Sequence, residues 1–516
     1  MEFLSPGHYR SEAAPQTMSI AGVSMATGAV VSTFERGPIG VARLVHSLTE
    51  FQSVYGSRIA SSYGYQAVEG AYRNCPGMRL WVVRTGHYTD VADRSTLAAK
   101  PAGYVWKDRA GTPVATLEFR AANEGAWGNS ISVTVADATV DSAARFKALV
   151  KLGSRVVEVF DELSLTAADA EHYVESRING ISKYITVADK LSATVAPNNR
   201  PSIGTNQLMG GEDGLAGLSD NDYVGSPAGS TGLHALDPVD ENLTIIVPGV
   251  ATSAVHDALT SYCEVRGDCF AILDCPAGLS AAEAVNYVRT TAQINSEYTA
   301  IYWPWVGASD PVTGAYTLIP PSGHLLGAYG RTITAPGKGP WKTPAGIEDG
   351  RLFGVLGVAD DSVATKSVRD TLYQANVNPI RAMAGYGRCA YGARLCAANK
   401  RTQFINERLT FNYVEKSIEN GTQWAEFENN DAVLWARLTR SITAFLLRVW
   451  RAGGLKGETP EEAFAVKIDA ETNPEPVTST CYGRIGIAAQ TPAEFIWFEY
   501  SKHTYTAPAE PEQPAE

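Results

Sequence analysis

Leu243-Thr244-Ile245-Ile246-Val247-Pro248, Phe270-Ala271-Ile272-Leu273-Asp274 and Thr299-Ala300-Ile301-Tyr302-Trp303 are three short apolar runs separated by helical patterns over 253–266 and 280–294. Runs of four to six apolar residues without polar alternation are strands buried on both faces. Alternation of such strands with helices specifies a mainly parallel sheet. A further unit around 352–358 continues the pattern, so residues 210–375 read as an α/β domain.

The flanking sequence reads differently. Between 100 and 209, Val114-Ala115-Thr116-Leu117-Glu118-Phe119 and Ile131-Ser132-Val133-Thr134-Val135 alternate at period two, with further strand signals at 156–165 and 184–187. This block is expected to be a β-rich inserted domain, closed by the turn Gly210-Gly211-Glu212-Asp213-Gly214. Residues 36–99 mix helix-like pieces with the strand Arg79-Leu80-Trp81-Val82-Val83-Arg84 and form the first part of the core. Residues 1–35 lack helical periodicity and are read as an extended arm, whose first 16 residues reach at most roughly 50 Å. Residues 376–505 carry two long helical patterns and a final hydrophobic strand, Phe495-Ile496-Trp497-Phe498-Glu499-Tyr500. The Pro/Glu-rich stretch 506–516 is too polar to pack and is read as a disordered tail.

The 516 residues suffice for about three or four domains. With 45% hydrophobic and 19% charged residues, global disorder is excluded. A net charge of −12 argues against nonspecific binding to nucleic acid or anionic membranes. No segment has the length of a transmembrane helix, since the apolar stretch 442–450 is short and broken by Arg448. The opening Met1-Glu2-Phe3-Leu4-Ser5-Pro6-Gly7 lacks the pattern of a secretory signal.

Chemical motifs are sparse. Gly337-Lys338-Gly339-Pro340 lacks the hydroxyl of a phosphate loop, and no Gly-x-Ser-x-Gly elbow occurs. Asp220-Asn221-Asp222-Tyr223-Val224-Gly225 begins like a calcium loop but places Val224 at a ligand position. His87, His172, His256 and His324 are scattered, without metal-ligand spacing, so no catalytic, cofactor or metal residue is assigned. Asp274-Cys275-Pro276 suits either a catalytic loop or a helix-starting turn. None of the seven cysteines forms a CxxC pair; Cys263, Cys269 and Cys275 are read as buried small hydrophobes or as a redox cross-link formed after lysis.

One local feature stands out. From 432 to 456 there are five basic residues and no acidic one. At about 100° per residue, Leu434, Leu438, Ile442, Phe445, Leu446 and Val449 cover an arc of roughly 120°. Arg437, Arg440, Arg448 and Arg451 fall within about 80° on the adjacent flank. The helix is expected to dock by one face and to present a basic stripe, which is either a solvated flank or a contact for an acidic partner.

Several ordered stretches together resemble the contractile tail sheath proteins of bacteriophages and related injection machines. They begin with Pro6-Gly7-His8-Tyr9, Phe34-Glu35-Arg36-Gly37-Pro38 and Leu80-Trp81-Val82-Val83-Arg84. They continue with Tyr302-Trp303-Pro304-Trp305, Asn376-Val377-Asn378-Pro379-Ile380-Arg381, Gly392-Ala393-Arg394 and Phe404-Ile405-Asn406. They close with Gly453-Gly454-Leu455-Lys456-Gly457 and Pro492-Ala493-Glu494-Phe495-Ile496.

The resemblance implies a structural subunit without catalysis or cofactor. It stacks as hexameric rings, or a helical polymer, around an inner tail tube and contracts from a metastable extended state. It implies an α/β multidomain fold: a central subtilisin-like domain without a triad, the β-rich insertion, and an α+β C-terminal domain completed by strands from neighbouring subunits. Tyr9, Ile20, Val23, Phe495, Ile496, Trp497 and Phe498 are the residues expected in that exchange, and the four stripe arginines in the tube contact. Partners would be further copies, the tube, and baseplate and terminator or collar proteins, with no nucleic acid and no membrane insertion. The location would be the virion after assembly in the bacterial cytoplasm. A phage-derived injection system or tailocin fits the same residues, and an α/β hydrolase is the remote alternative.

Overall fold

The computed structural model describes residues 19–310, 312–398, 402–474 and 478–494. Its largest sheet has eight strands: β1 (Thr27–Ser32), β2 (Ala42–Val45), β3 (Arg79–Arg84), β4 (Leu243–Ile246), β5 (Cys269–Asp274), β6 (Thr299–Trp303), β7 (Val377–Met383) and β8 (Gly387–Ala390). Their spatial order is β8-β7-β6-β5-β4-β1-β3-β2. The inner pairings are parallel, in register as Ala29↔Ile245, Ile245↔Ala271 and Ile301↔Val377, and the edge strands β2 and β8 are antiparallel. Successive side chains point to opposite faces, so each strand feeds two cores. Val30, Ile246, Phe270 and Tyr302 pack on one side, while Val31, Ile245, Leu273 and Trp303 pack on the other. This is why the three diagnostic runs show no polar alternation.

The arm read over residues 1–35 is corrected at its end, because Thr27–Ser32 lies in the middle of the sheet between β4 and β3. Gly28 is required there: a Cβ would meet Leu80 at 2.8 Å and Leu326 at 2.9 Å. The sheet also recruits β7 and β8 from beyond residue 375. The strand Val355–Val358, in contrast, joins a separate antiparallel sheet with Val306–Ser309 and Tyr316–Ile319. The helical pattern over 280–294 shortens to Ala281–Asn286 followed by the π-helical turn Tyr287–Thr291.

Helices α1 (Gly64–Asn74), α2 (Ser253–Arg266) and α3 (Ser322–Thr334) cover the sheet. The helices α1 and α3 cross with backbones nearly touching. A Cβ on Gly323 would lie 2.3 Å from Ala67 Cα, and one on Gly327 would lie 2.4 Å from the Ala71 carbonyl oxygen.

Between β3 and β4 the chain leaves the core to build a separate body. Its four-stranded sheet comprises Gly204–Gln207, Ile131–Asp137, Phe146–Leu152 and Arg155–Leu163; its three-stranded sheet comprises Gly103–Lys107, Ala115–Ala121 and Ile185–Asp189. Trp106, Phe119, Phe146 and Leu163 belong to a core drawn from this block alone. The incoming and outgoing chains pair as a neck, with Lys100 and Glu212 exchanging N–H···O bonds of 2.9 Å each. Arg84, buried at the end of β3, reinforces the junction by donating to the carbonyls of Gly37 (2.7 Å) and Glu124 (2.8 Å).

The C-terminal part contains α4 (Ile405–Thr422), α5 (Ala432–Arg451) and a hairpin of Phe464–Lys467 with Arg484–Ile487. The whole is a mixed α/β multidomain fold.

Candidate assembly surfaces

Helix α5 starts where Asp431 accepts the N–H groups of Val433 and Leu434, both at 2.9 Å, satisfying two unpaired donors of the first turn. Leu434, Leu438, Ile442, Phe445, Leu446 and Val449 are buried against α4 and the hairpin. The four arginines then divide. Arg437 stacks on Trp424 at 4.3 Å and lies 3.8 Å from Glu428. Arg448 donates to Ser19 Oγ (3.1 Å) and to the Ile20 carbonyl. Arg440 and Arg451 are exposed and have no ion pair or hydrogen bond among the described residues. The outward-facing charge of the stripe is therefore concentrated at positions 440 and 451.

The segment held by Arg448 packs against the C-terminal helices. Ile20 is 1% exposed within the core of α4 and α5, and the Val23 N–H donates to Ser417 Oγ (3.1 Å). Close approach needs Gly421, where a Cβ would sit 2.6 Å from Ile20. Ile20 and Val23, expected in the strand exchange, here pack on helices of their own chain. Tyr9, Phe495, Ile496, Trp497 and Phe498 lie outside the described residues, as does the tail 506–516.

The hairpin itself is a two-stranded sheet, and Arg484, Ile485 and Gly486 are exposed. Two strands alone are marginal in water, and the α5 contact covers one face without satisfying an edge. Arg394 reaches the chain just beyond, pairing with Glu494 at 2.6 Å; both side chains are largely buried.

The motif residues act as splices between distant segments. Asn378 Nδ2 donates to the carbonyls of Ile301 (3.2 Å) and Arg394 (2.7 Å), and its Oδ1 accepts the Arg394 N–H (2.7 Å). Asn406 Nδ2 donates to the carbonyls of Trp341 (3.2 Å) and Gln490 (2.6 Å). The indoles of Trp303 and Trp305 donate to Leu279 O (2.9 Å) and Cys275 O (2.7 Å). Sequence patterning marked these stretches but carried no signal for their partners.

The polar groups with chemical potential are engaged structurally. Asp274, at the end of β5, accepts both the N–H (2.9 Å) and hydroxyl (2.7 Å) of Ser322, closing the first turn of α3; burial pushes its carboxyl up to about 6. The turn it starts thus belongs to a helix 48 residues away. Asp222 accepts from Tyr88 N (2.8 Å) and Ser219 Oγ (3.0 Å) and faces His87 Nδ1 (3.1 Å), so the calcium-like stretch is a capped helix. Serine and histidine meet the same carboxylate rather than each other, which is not the order of a nucleophile–base relay. His256 and His324 are buried, and burial lowers both to about 4. Among the described residues no group of three potential ligands could hold a metal, and no helix is long and apolar enough to cross a membrane.

Cys263, Cys269 and Cys275 take the place of small buried hydrophobes. All three are free thiols at 0% exposure in the core, and burial pushes each thiol up. Buried protonated thiols present neither the nucleophile nor the surface for a bond between subunits.

Residues 224–393 match the phage tail sheath protein central domain, and residues 397–501 match the phage tail sheath C-terminal domain. The chain belongs to the phage tail sheath family. The tail sheath protein of Vibrio phage KVP40 is 26% identical over 328 residues, covering 57% of this chain and 45% of the relative. That of Enterobacteria phage T4 is 26% identical over 220 residues, covering 39% and 33%. The matched region thus spans less than half of these curated relatives.

The sheath fold extends further than sequence identity. The sheath tail protein of Listeria innocua superposes with a TM-score of 0.61 at 12% identity, covering 92% of this chain and 96% of that one. The contracted helical sheath of the anti-feeding prophage gives 0.56 at 18% identity, covering 98% and 100%. The contracted sheath of the PVC extracellular contractile injection system gives 0.56 at 16% identity, covering 98% and 99%.

Proposed function

We propose that this sheath chain is a non-enzymatic subunit that polymerises as stacked hexameric rings around an inner tail tube. The polymer contracts from a metastable extended state and drives the tube through the bacterial envelope. The observation that carries this reading is the incomplete C-terminal module: a two-stranded hairpin beside a helix that presents Arg440 and Arg451 outward. Strands from a neighbour satisfy the hairpin edges by β-augmentation. The segments before Ser19 and after Glu494 are the donors, carrying Tyr9 and Phe495 to Phe498. The subtilisin-like resemblance of the central domain is architectural in this reading.

Arg440 and Arg451, with Arg437 and Arg448 behind them, meet an acidic tube surface. Backbone bonds in exchanged strands, about 1 kcal/mol each, cancel if they persist in both states. New contacts between globular bodies then drive contraction, with the extended state held as a kinetic trap. Baseplate and terminator or collar proteins bound the polymer in the virion, after assembly in the host cytoplasm. A phage-derived injection particle uses the same subunit in the same way.

Electron microscopy of the purified chain, alone and with its tube protein, tests the reading. Hollow tubes alone, or sheathed tubes on mixing, are expected. A monomer in both samples would overturn it.

A further inference from the structure

A basic–aromatic plate surrounds Cys389 and plays no part in the proposed assembly. Arg381 and Cys389 are paired across β7 and β8, and Arg351 bridges to Cys389 from the other side. Directly paired residues share a face, so the two guanidiniums flank one small buried thiol. Each guanidinium has an aromatic platform: Arg351 stacks on Phe353 at 5.2 Å and Arg381 on Tyr391 at 5.0 Å. Arg331 stacks on the same Phe353 at 4.7 Å. Phe353 and Tyr391 remain 39% and 36% exposed. Among the described residues neither Arg351 nor Arg381 makes an ion pair, and Arg381 Nε is buried without a hydrogen-bond partner. In a chain of net charge −12, an uncompensated arginine plate with apolar platforms is built for an acidic, partly apolar segment.

The chain carries such a segment. Residues 503–516 contain no Lys or Arg, and residues 507–516 read Ala-Pro-Ala-Glu-Pro-Glu-Gln-Pro-Ala-Glu. Pro508, Pro511 and Pro514 recur every third residue, as do Glu510, Gln513 and Glu516. With three residues per turn, a polyproline II helix places these sets on two separate ridges, one apolar and one acidic. Aromatic platforms suit the proline ridge and guanidiniums suit the carboxylates. The route is short. Glu494 is held by Arg394, which stacks on Tyr373 at 5.2 Å, and the Tyr373 hydroxyl donates to the Tyr391 carbonyl. Fourteen further residues to Pro508 reach at most about 46 Å.

We infer that in the unassembled subunit the acidic proline-rich segment 507–516 docks on the Arg351–Arg381 plate of its own chain. The inference does not rest on ring assembly or contraction. Its test is zero-length carbodiimide coupling in the full chain carrying Arg351→Lys and Arg381→Lys, read by peptide mass spectrometry. The introduced amines are expected to couple to the 503–516 peptide. Yield should fall at least fivefold in 0.5 M salt and when Glu510→Gln, Glu512→Gln and Glu516→Gln are added. Lys338, 2.8 Å from Glu348, is the internal control. Coupling of the control without the segment would overturn the inference. Links of mixed mass, formed between isotopically labelled and unlabelled copies, would overturn the assignment to the same chain.

Discussion

Asp274 caps a helix that it precedes by 48 residues, its carboxylate taking both the N–H and the hydroxyl of Ser322 at 2.9 and 2.7 Å. Two elements of the central sheet layer are locked together by one acid, and burial pushes that acid up to about 6.

The sign of the resulting pH dependence follows from burial. Folding raises this carboxyl from about 3.9 to about 6, so its contribution is fully present below pH 4 and is lost as pH rises through 6. The stability of the native chain relative to Asp274→Asn should therefore fall by about 3 kcal/mol at most between pH 4 and pH 7. Paired denaturation curves at the two pH values check this; parallel behaviour of the two proteins would refute it.

Reversing Arg440 and Arg451 together to Glu should leave the melting temperature nearly unchanged, within about 0.5 kcal/mol, because both are exposed. Sheath formation on the tube should be lost. Arg448→Glu should in addition destabilise the fold by about 2 kcal/mol, since it releases Ser19 and Ile20. Calorimetry beside microscopy of tube-templated assembly separates the two effects. Intact sheaths from the double reversal would remove the tube contact from this helix.

Removing the Arg394 guanidinium leaves the Glu494 carboxylate largely buried without its partner. Arg394→Ala should cost about 3 kcal/mol, and proteolysis after residue 490 should accelerate. Arg394→Lys should recover only part of the loss, because an ammonium lacks the planar fork. Equal protease resistance of all three proteins would contradict this anchor.

Gly327→Ala should destabilise by about 1–3 kcal/mol, because the new methyl meets the Ala71 carbonyl at 2.4 Å in a helix crossing with no room to give. A neutral substitution, measured by chemical denaturation, would mean that α1 and α3 can separate.

Thiol labelling addresses the cysteines. Cys481 is partly exposed, and the other six are buried. Native protein should take up one maleimide, and denatured protein seven. Rapid native labelling of Cys263 or Cys269 would restore the redox reading.

What the sequence revealed follows physical range. The runs at 243–246, 269–274 and 299–303 were legible because strands buried on both faces need nothing but apolar residues. Thr27–Ser32 was hidden because its polar ends and Gly28 make sense only beneath Leu80 and Leu326. The arginine stripe was visible as spacing on one helix. Its division was not, because Arg448 finds Ile20 across 428 residues. The pairing of Arg394 with Glu494 spans 100 residues and leaves no local trace.

The neck at Lys100 and Glu212 makes the β-rich body a cassette. Its two chain ends lie side by side, and its core borrows nothing from the sheet beneath. A lineage can therefore enlarge, exchange or discard this body without redrawing the eight-stranded sheet or the C-terminal helices. A designer can do the same, joining residue 100 to residue 212 or grafting foreign cargo between them.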